Sequence, residues 1–345
     1  MTEFNRRGAL GRAPAILAAT LVAAALSACA ADAPPALAPA LTLAEQGGSR
    51  PTAAVDPRTN TVYVAWVGSR EGVSNVYLSR LDAGASGTPA PVRVNHLPGD
   101  AAPHDQAPPR VAVGAGGEVY VVWQNNTRIE GRRFPASDLR FARSTDGGRT
   151  FEPAITVNDD TGGEPASHTF HDMAVGADGA VYVSWIDSRE RGGEGKGEAS
   201  GSGHGHGQGH GNGHGDHGNA PGPDIRLARS TDGGRTFEPS RVVDRGACPC
   251  CRTALAVAPD GAVYVAWRKV FDGKIRDIVV ARADAGEGAF RAPVRVHADD
   301  WRFDACPHAG PALAVAPDGR VHVGWYTGRE SGAGLYYAIS NDRAD

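Results

Sequence analysis

Two short runs in the last third of the chain concentrate its most reactive side chains: Cys248-Pro249-Cys250-Cys251 and Cys306-Pro307-His308. Thiolates and imidazoles together suit a soft or borderline ion such as Cu(I) or Zn(II), although this spacing matches no standard zinc module. The same four thiols, an even number, also suit disulfides, with Cys306 joined to one of the other three, or thiol redox chemistry. A vicinal Cys250–Cys251 bond would be strained and easily reduced. Further histidines fall into two groups. His104, His168 and His171 stand singly, whereas His204, His206, His210, His214 and His217 punctuate a Gly-rich stretch over 192–222. That stretch has almost no apolar residues, so it is expected to be a disordered insertion, and His tracts of this composition bind transition metals. Its plainer reading is a tolerated surface insertion.

The fifth cysteine belongs to a targeting segment. Arg6, Arg7 and Arg12 precede an apolar run over 13–26 that is too short to span a bilayer, which reads as a signal peptide over 1–28. Leu26-Ser27-Ala28-Cys29 resembles the lipobox of bacterial lipoproteins, which implies cleavage before Cys29 and lipidation of its thiol. Ala30 after the cysteine implies the outer membrane, facing the periplasm, and Arg6-Arg7 is a loose twin-arginine pattern. Residues 29–39, rich in Ala and Pro, then form a tether. The formal net charge is −4 and no basic stripe follows the first dozen residues, which excludes a nucleic-acid footprint. The expected partners are the membrane, through the lipid, and a metal ion, small molecule or glycan; the chain is expected to be a monomer.

The elements that position these residues are repeats. AVDPRTNTVYVAW from Ala54 to Trp66 is echoed from Ala112 to Trp123, Ala174 to Trp185, Ala256 to Trp267 and Ala314 to Trp325. Each copy places two strands around a tight turn, and V-Y-V-x-W alternation puts Val and Trp on one face for packing between sheets. Third strands are expected over 75–81, 138–144, 224–230, 277–283 and 334–340, and fourth strands over 91–95, 154–158, 241–244 and 293–297. The reading is an all-β propeller over 40–345 with five blades, six being the alternative. Ala40 to Ala44 is assigned as the strand that completes the last blade and closes the ring.

Ser144-Thr145-Asp146-Gly147-Gly148-Arg149-Thr150-Phe151 and Ser230-Thr231-Asp232-Gly233-Gly234-Arg235-Thr236-Phe237 match the Asp-box pattern between third and fourth strands. The chain therefore resembles the sialidase-like, BNR-repeat proteins. In these turns Asp accepts hydrogen bonds from amides, Gly supplies positive φ, and the aromatic ring plugs the sheet. The resemblance implies a propeller whose Asp boxes lie opposite the ligand face. It also raises an exo-sialidase, for which three Arg, an acid and a Tyr–Glu pair are needed. Arg50 and Arg252 are the candidate arginines, Asp105 or Asp172 the acid, and Tyr326 with Glu330 the nucleophile pair. Arg70, Arg189 and Arg329 recur after the repeat Trp and read equally well as scaffolding.

In a propeller the loops leading into the inner strands share one axial mouth. Those loops carry Arg50, then His104 and Asp105, then His168, His171 and Asp172, then Cys248, Cys250, Cys251 and Arg252, then Cys306 and His308. Their convergence predicts a Cys/His-rich axial site for copper or zinc or a small ligand; a sialidase-type hydrolase and a recognition scaffold without chemistry are the alternatives.

Overall fold

The computed structural model describes residues 40–340, apart from 45–46, 85–86, 88, 133, 161 and 192–221, and one compact unit spans Thr42–Asp345. Alternating Val, Tyr and Trp with Gly-bearing turns produce five antiparallel sheets, each built by strands in chain order. The first holds β1 (Gly48–Asp56), β2 (Thr61–Arg70), β3 (Val73–Leu81) and β4 (Val92–Arg93). The second holds β5 (Arg110–Val113), β6 (Val119–Gln124), β7 (Leu139–Ser144) and β8 (Ile155–Thr156). The third holds β9 (His168–Val175), β10 (Val181–Asp187), β11 (Asp224–Ser230) and β12 (Arg241–Asp244). The fourth holds β13 (Ala254–Val257), β14 (Val263–Phe271), β15 (Ile275–Ala283) and β16 (Val294–Arg295), and the fifth β17 (Ala312–Val315), β18 (Val321–Thr327) and β19 (Gly334–Ser340). Helix among the described residues is limited to two short 3₁₀ turns. The architecture is an all-β propeller.

Inner strands stack in sequence, β1 on β5, β5 on β9, β9 on β13 and β13 on β17. The repeat explains the packing. Val119, Val121 and Trp123 of the second sheet meet Tyr63, Ala65 and Leu78 of the first. The same positions, Val181, Val183 and Trp185, meet Tyr120, Val122 and Phe141 one sheet later. Trp123, Trp185 and Trp267 are all but sealed from solvent, so the repeat tryptophans serve as core.

One expectation fails. Ala40–Ala44 forms no strand, and the fifth sheet has three strands, with Leu335, Tyr337 and Ile339 exposed on its outer face. The chain instead runs on along the inner strand: β1 stays paired with β2 as far back as Gly48↔Gly68, and Gly47 O accepts Ser69 N at 3.0 Å. A bulge between Ser49 and Thr52, with Arg50 at φ 57°, permits that extension. Two leucines in five residues bury too little to offset ordering a further strand.

Both Asp boxes form as the pattern requires. Asp146 Oδ1 accepts the N–H groups of Arg149 and Thr150 at 3.0 and 2.9 Å, Thr150 Oγ1 donates to Oδ2 at 2.6 Å, and Gly148 N donates to Ser144 Oγ at 2.8 Å. Asp232, Thr236, Ser230 and Gly234 repeat the set within 0.1 Å. Gly148 sits at φ +78°, where a Cβ would also come within 3.0 Å of the Leu78 side chain. Each box is clamped by the preceding sheet, Arg80 donating to Gly147 O and Arg143 to Gly233 O. Phe151 and Phe237 pack into the cores beside them.

Candidate metal centre

Cys248-Pro249-Cys250-Cys251 forms a tight turn that is strapped from both sides. Cys248 N donates to Arg268 O on β14 at 2.8 Å, and Cys251 N closes the turn on Cys248 O at 3.4 Å. Thr253, which follows, donates from N to Phe170 O at 3.0 Å and meets Ser184 Oγ through its hydroxyl at 2.9 Å. The turn is thereby fixed to the third and fourth sheets at once, and its three sulfurs point into the core between them.

There the sulfurs lie 3.4 Å (Cys248–Cys251), 3.6 Å (Cys248–Cys250) and 4.0 Å (Cys250–Cys251) apart, all buried. A disulfide holds its sulfurs at about 2.05 Å. Thiolates at about 2.3 Å from one ion stand about 3.8 Å apart if the ion is tetrahedral and about 4.0 Å if trigonal. The observed spacing is far from that of a disulfide and within about 0.4 Å of that of ligands around a shared centre. These three are the group competent to hold an ion among the described residues. Cys306, half-buried in the loop before β17, packs on the same cluster.

The electrostatics favour thiolate at Cys248. Hydrogen bonds from Cys250 and Cys251, against burial and helped by the Arg276 guanidinium, hold the Cys248 thiol well below its usual range; Arg276 Nη1 stands 3.0 Å from its sulfur. Cys250, acting as the donor to its neighbours, is pushed up, and burial pushes up Cys251. Cys306 is drawn down by its hydrogen bond with Cys250. A bound cation would displace the remaining protons.

The other sequence candidates separate from this cluster. His168 is buried in β9, with Nδ1 on Ser137 O at 2.6 Å and Nε2 on Asp160 at 3.0 Å and Asp187 at 3.5 Å. Burial opposes its protonation, yet Asp160 and Asp187 outweigh that and raise its pKa. His171 is fully buried, its ring nitrogens making no well-formed hydrogen bond, and burial lowers its pKa to about 3. Neither is grouped with the sulfurs, and Phe170 at φ 57° breaks the regular alternation of β9 between them. His104 packs edge-on against Phe170 at 5.1 Å and feels the charge of His308, which is exposed at φ 49°. The His204, His206, His210, His214 and His217 tract, Cys29 and the signal segment lie outside the described residues.

The hydrolase candidates come together only in part: Asp172 lies with Arg110 and Arg252, while Tyr326 and Glu330 stay unjoined. Arg50 is ion-paired to Asp105 at 2.7 Å. Asp172 has Arg110 Nε 3.0 Å away, at an angle too poor for a hydrogen bond, and accepts Leu255 N and Met173 N; burial raises its pKa. Arg252 acts on Asp172 by charge and is itself lowered by burial. Tyr326 packs edge-on to Trp301 at 5.7 Å, and no hydrogen bond joins it to Glu330. Arg189 and Arg329 are spent on Asp187 and Asp299, which is the scaffolding role. Arg110, Arg268 and Arg276 are additions that the motif search missed. Arg268 had a signal: it follows the repeat Trp, where the other copies carry Val67, Gln124, Ile186 and Tyr326.

No protein-family model matches the chain, and no curated protein matches it. Among solved structures the likeness is one of fold. A protein of unknown function from Dyadobacter fermentans DSM 18053 is 16% identical, with 86% of this chain and 80% of that one covered and a TM-score of 0.51. The PL25 ulvan lyase bound to -[GlcA(1-4)Rha3S]- is 12% identical, with 88% and 72% covered and a TM-score of 0.53. The Hadza microbial sialidase Hz136 is 14% identical over 82% and 56%, with a TM-score of 0.46. The likeness to the Dyadobacter protein and to the lyase is one of fold alone.

Proposed function

We propose that this chain is a cell-envelope lipoprotein of the Asp-box, BNR-repeat kind whose propeller binds a soft transition-metal ion, Cu(I) or Zn(II). The ligands are Cys248, Cys250 and Cys251, with Cys306 beside them. One observation carries the reading: three buried sulfurs from a four-residue turn stand 3.4 to 4.0 Å apart, with a guanidinium on one of them. Soft thiolates select soft ions, and the strapped turn preorganises them. The lipobox at Cys29 supports attachment to the outer membrane. In the full chain extracted with detergent, one metal ion per molecule that is lost in Cys251→Ser is the expected result. An unchanged metal content in that variant would overturn it.

A sialidase-type hydrolase is the second reading, favoured by the Asp boxes and by Arg50 and Arg110 on the inner strands of the first two sheets with Arg252 just before that of the fourth. Against it stand the unjoined Tyr326 and Glu330 and the pairing of Arg50 with Asp105. Release of a fluorogenic sialoside that disappears in Arg50→Ala would decide for it.

A further inference from the structure

The charge around the sulfurs narrows the choice of ion. Arg268 is 1% and Arg276 8% exposed, and neither has a carboxylate within ion-pair distance among the described residues. Arg268 spends its nitrogens on carbonyls: Nε and Nη2 on Ala309 O, Nη2 on Tyr326 O and Nη1 on Arg276 O, at 2.6 to 3.1 Å. Arg276 places Nε on Phe303 O at 2.6 Å and Nη1 on Cys248 Sγ at 3.0 Å. Carbonyl dipoles satisfy donors but cancel no net charge. Buried charges persist where an opposite charge answers them. The sulfur cluster touches one guanidinium and feels the other, since Arg268 acts by charge on Cys251.

The count is then simple. Two guanidinium groups supply two positive charges. Three thiolates around a monovalent ion carry two negative charges, a match. Three thiolates around a divalent ion carry one, which leaves a buried positive charge unanswered unless a fourth thiolate joins. A disulfide between two of the three leaves at most one negative charge.

We propose that this centre is built for a monovalent soft cation, Cu(I), held by Cys248, Cys250 and Cys251 alone, with Arg268 and Arg276 balancing the tris-thiolate complex. The inference rests on the metal reading above. Cys306, half-buried to one side, is then a ligand that Zn(II) needs and Cu(I) does not.

Binding of Cu(I), supplied anaerobically against a competing chelator, and of Zn(II) separately, tests this on the full chain and its variants. Cys306→Ser should leave Cu(I) affinity within about threefold and weaken Zn(II) by about tenfold or more, the scale on which metal sites respond to a lost partner. Arg276→Met should weaken Cu(I) about 10- to 100-fold, and Arg276→Lys, which keeps the charge, should recover most of that. Equal weakening of both ions by Cys306→Ser overturns the three-ligand Cu(I) assignment and leaves the metal reading standing. An Arg276→Lys defect as large as that of Arg276→Met shows a packing role and overturns the charge argument. If the wild type binds neither ion, the metal reading itself fails. Should Arg276→Met not fold, the Cys306→Ser comparison alone decides.

Discussion

The two ends of these sheets solve the problem of polar groups in opposite ways. At the Asp-box end each box carboxylate is answered within a few residues: Asp146 takes its hydrogen bonds from Ser144, Arg149 and Thr150, and Asp232 does the same from Ser230, Arg235 and Thr236. At the other end, two buried guanidinium groups come from β14 and β15, and the sulfurs beside them come from the turn before β13. A local, self-satisfied motif stabilises the fold wherever it occurs. Charge assembled from distant segments and balanced only by a nucleophilic cluster needs a ligand to complete it. Asp boxes therefore report the architecture, and on the proposed metal reading the cysteine turn reports the function.

The comparison breaks most visibly if the two ends fail to separate under mutation. Cys251→Ser should lower metal affinity by well over the roughly 100-fold that losing an outer-shell partner costs, while shifting the melting temperature of metal-free protein little. Titration with Cu(I) beside thermal unfolding checks both. Asp146→Ala should do the reverse. With four hydrogen bonds to a carboxylate removed, stability should fall by about 2–3 kcal/mol at unchanged metal content. A metal defect in Asp146→Ala, measured by denaturant unfolding beside elemental analysis, would join the two ends and defeat the distinction.

A smaller effect sharpens it through pH. His168 and His171 sit three residues apart in β9 with opposite shifts, the first raised by Asp160 and Asp187 against burial, the second lowered to about 3 by burial. For His168 the folded state holds its proton more tightly, so its contribution is complete below the ordinary value of 6.5 and fades as pH rises through the raised value. For His171 the folded state excludes the proton, so stability is present above 6.5 and lost as pH falls towards 3. Together they place a stability maximum near the ordinary histidine pKa. His171→Leu should flatten the acid limb and Asp160→Asn the alkaline limb in melting curves across pH; unchanged limbs would refute these assignments. The smallest change belongs to deletion of residues 192–222, which should remove weak metal binding and leave the tight site within about threefold, since tight binding needs the folded turn.

Most of the strand pattern was legible because it is periodic. The V-Y-V-x-W copies, both Asp boxes and the third strands at 224–230 and 334–340 appear where the sequence places them. The Ala40–Ala44 strand was misread because a missing partner at β19 says nothing about which segment supplies it, whereas the bulge at Arg50 decides where the chain goes. The cysteine cluster was visible as composition, but its geometry was not. Which sulfurs meet depends on the strapping of the turn by Thr253 and Arg268, residues with no motif of their own. His168 and His171 looked like ligands because a histidine's type carries no record of its burial. The structure spends them on Asp160 and on packing.

The most direct test is a paired measurement on full-length protein extracted from the envelope without chelator: metal per chain, and free thiols after denaturation without reductant. The account predicts one copper or zinc ion per chain, thiols shielded in the native state, and all four of Cys248, Cys250, Cys251 and Cys306 titrating once it is unfolded. No metal, with no free thiols after unfolding, would mean that the cysteines are disulfides and that the centre proposed here does not exist.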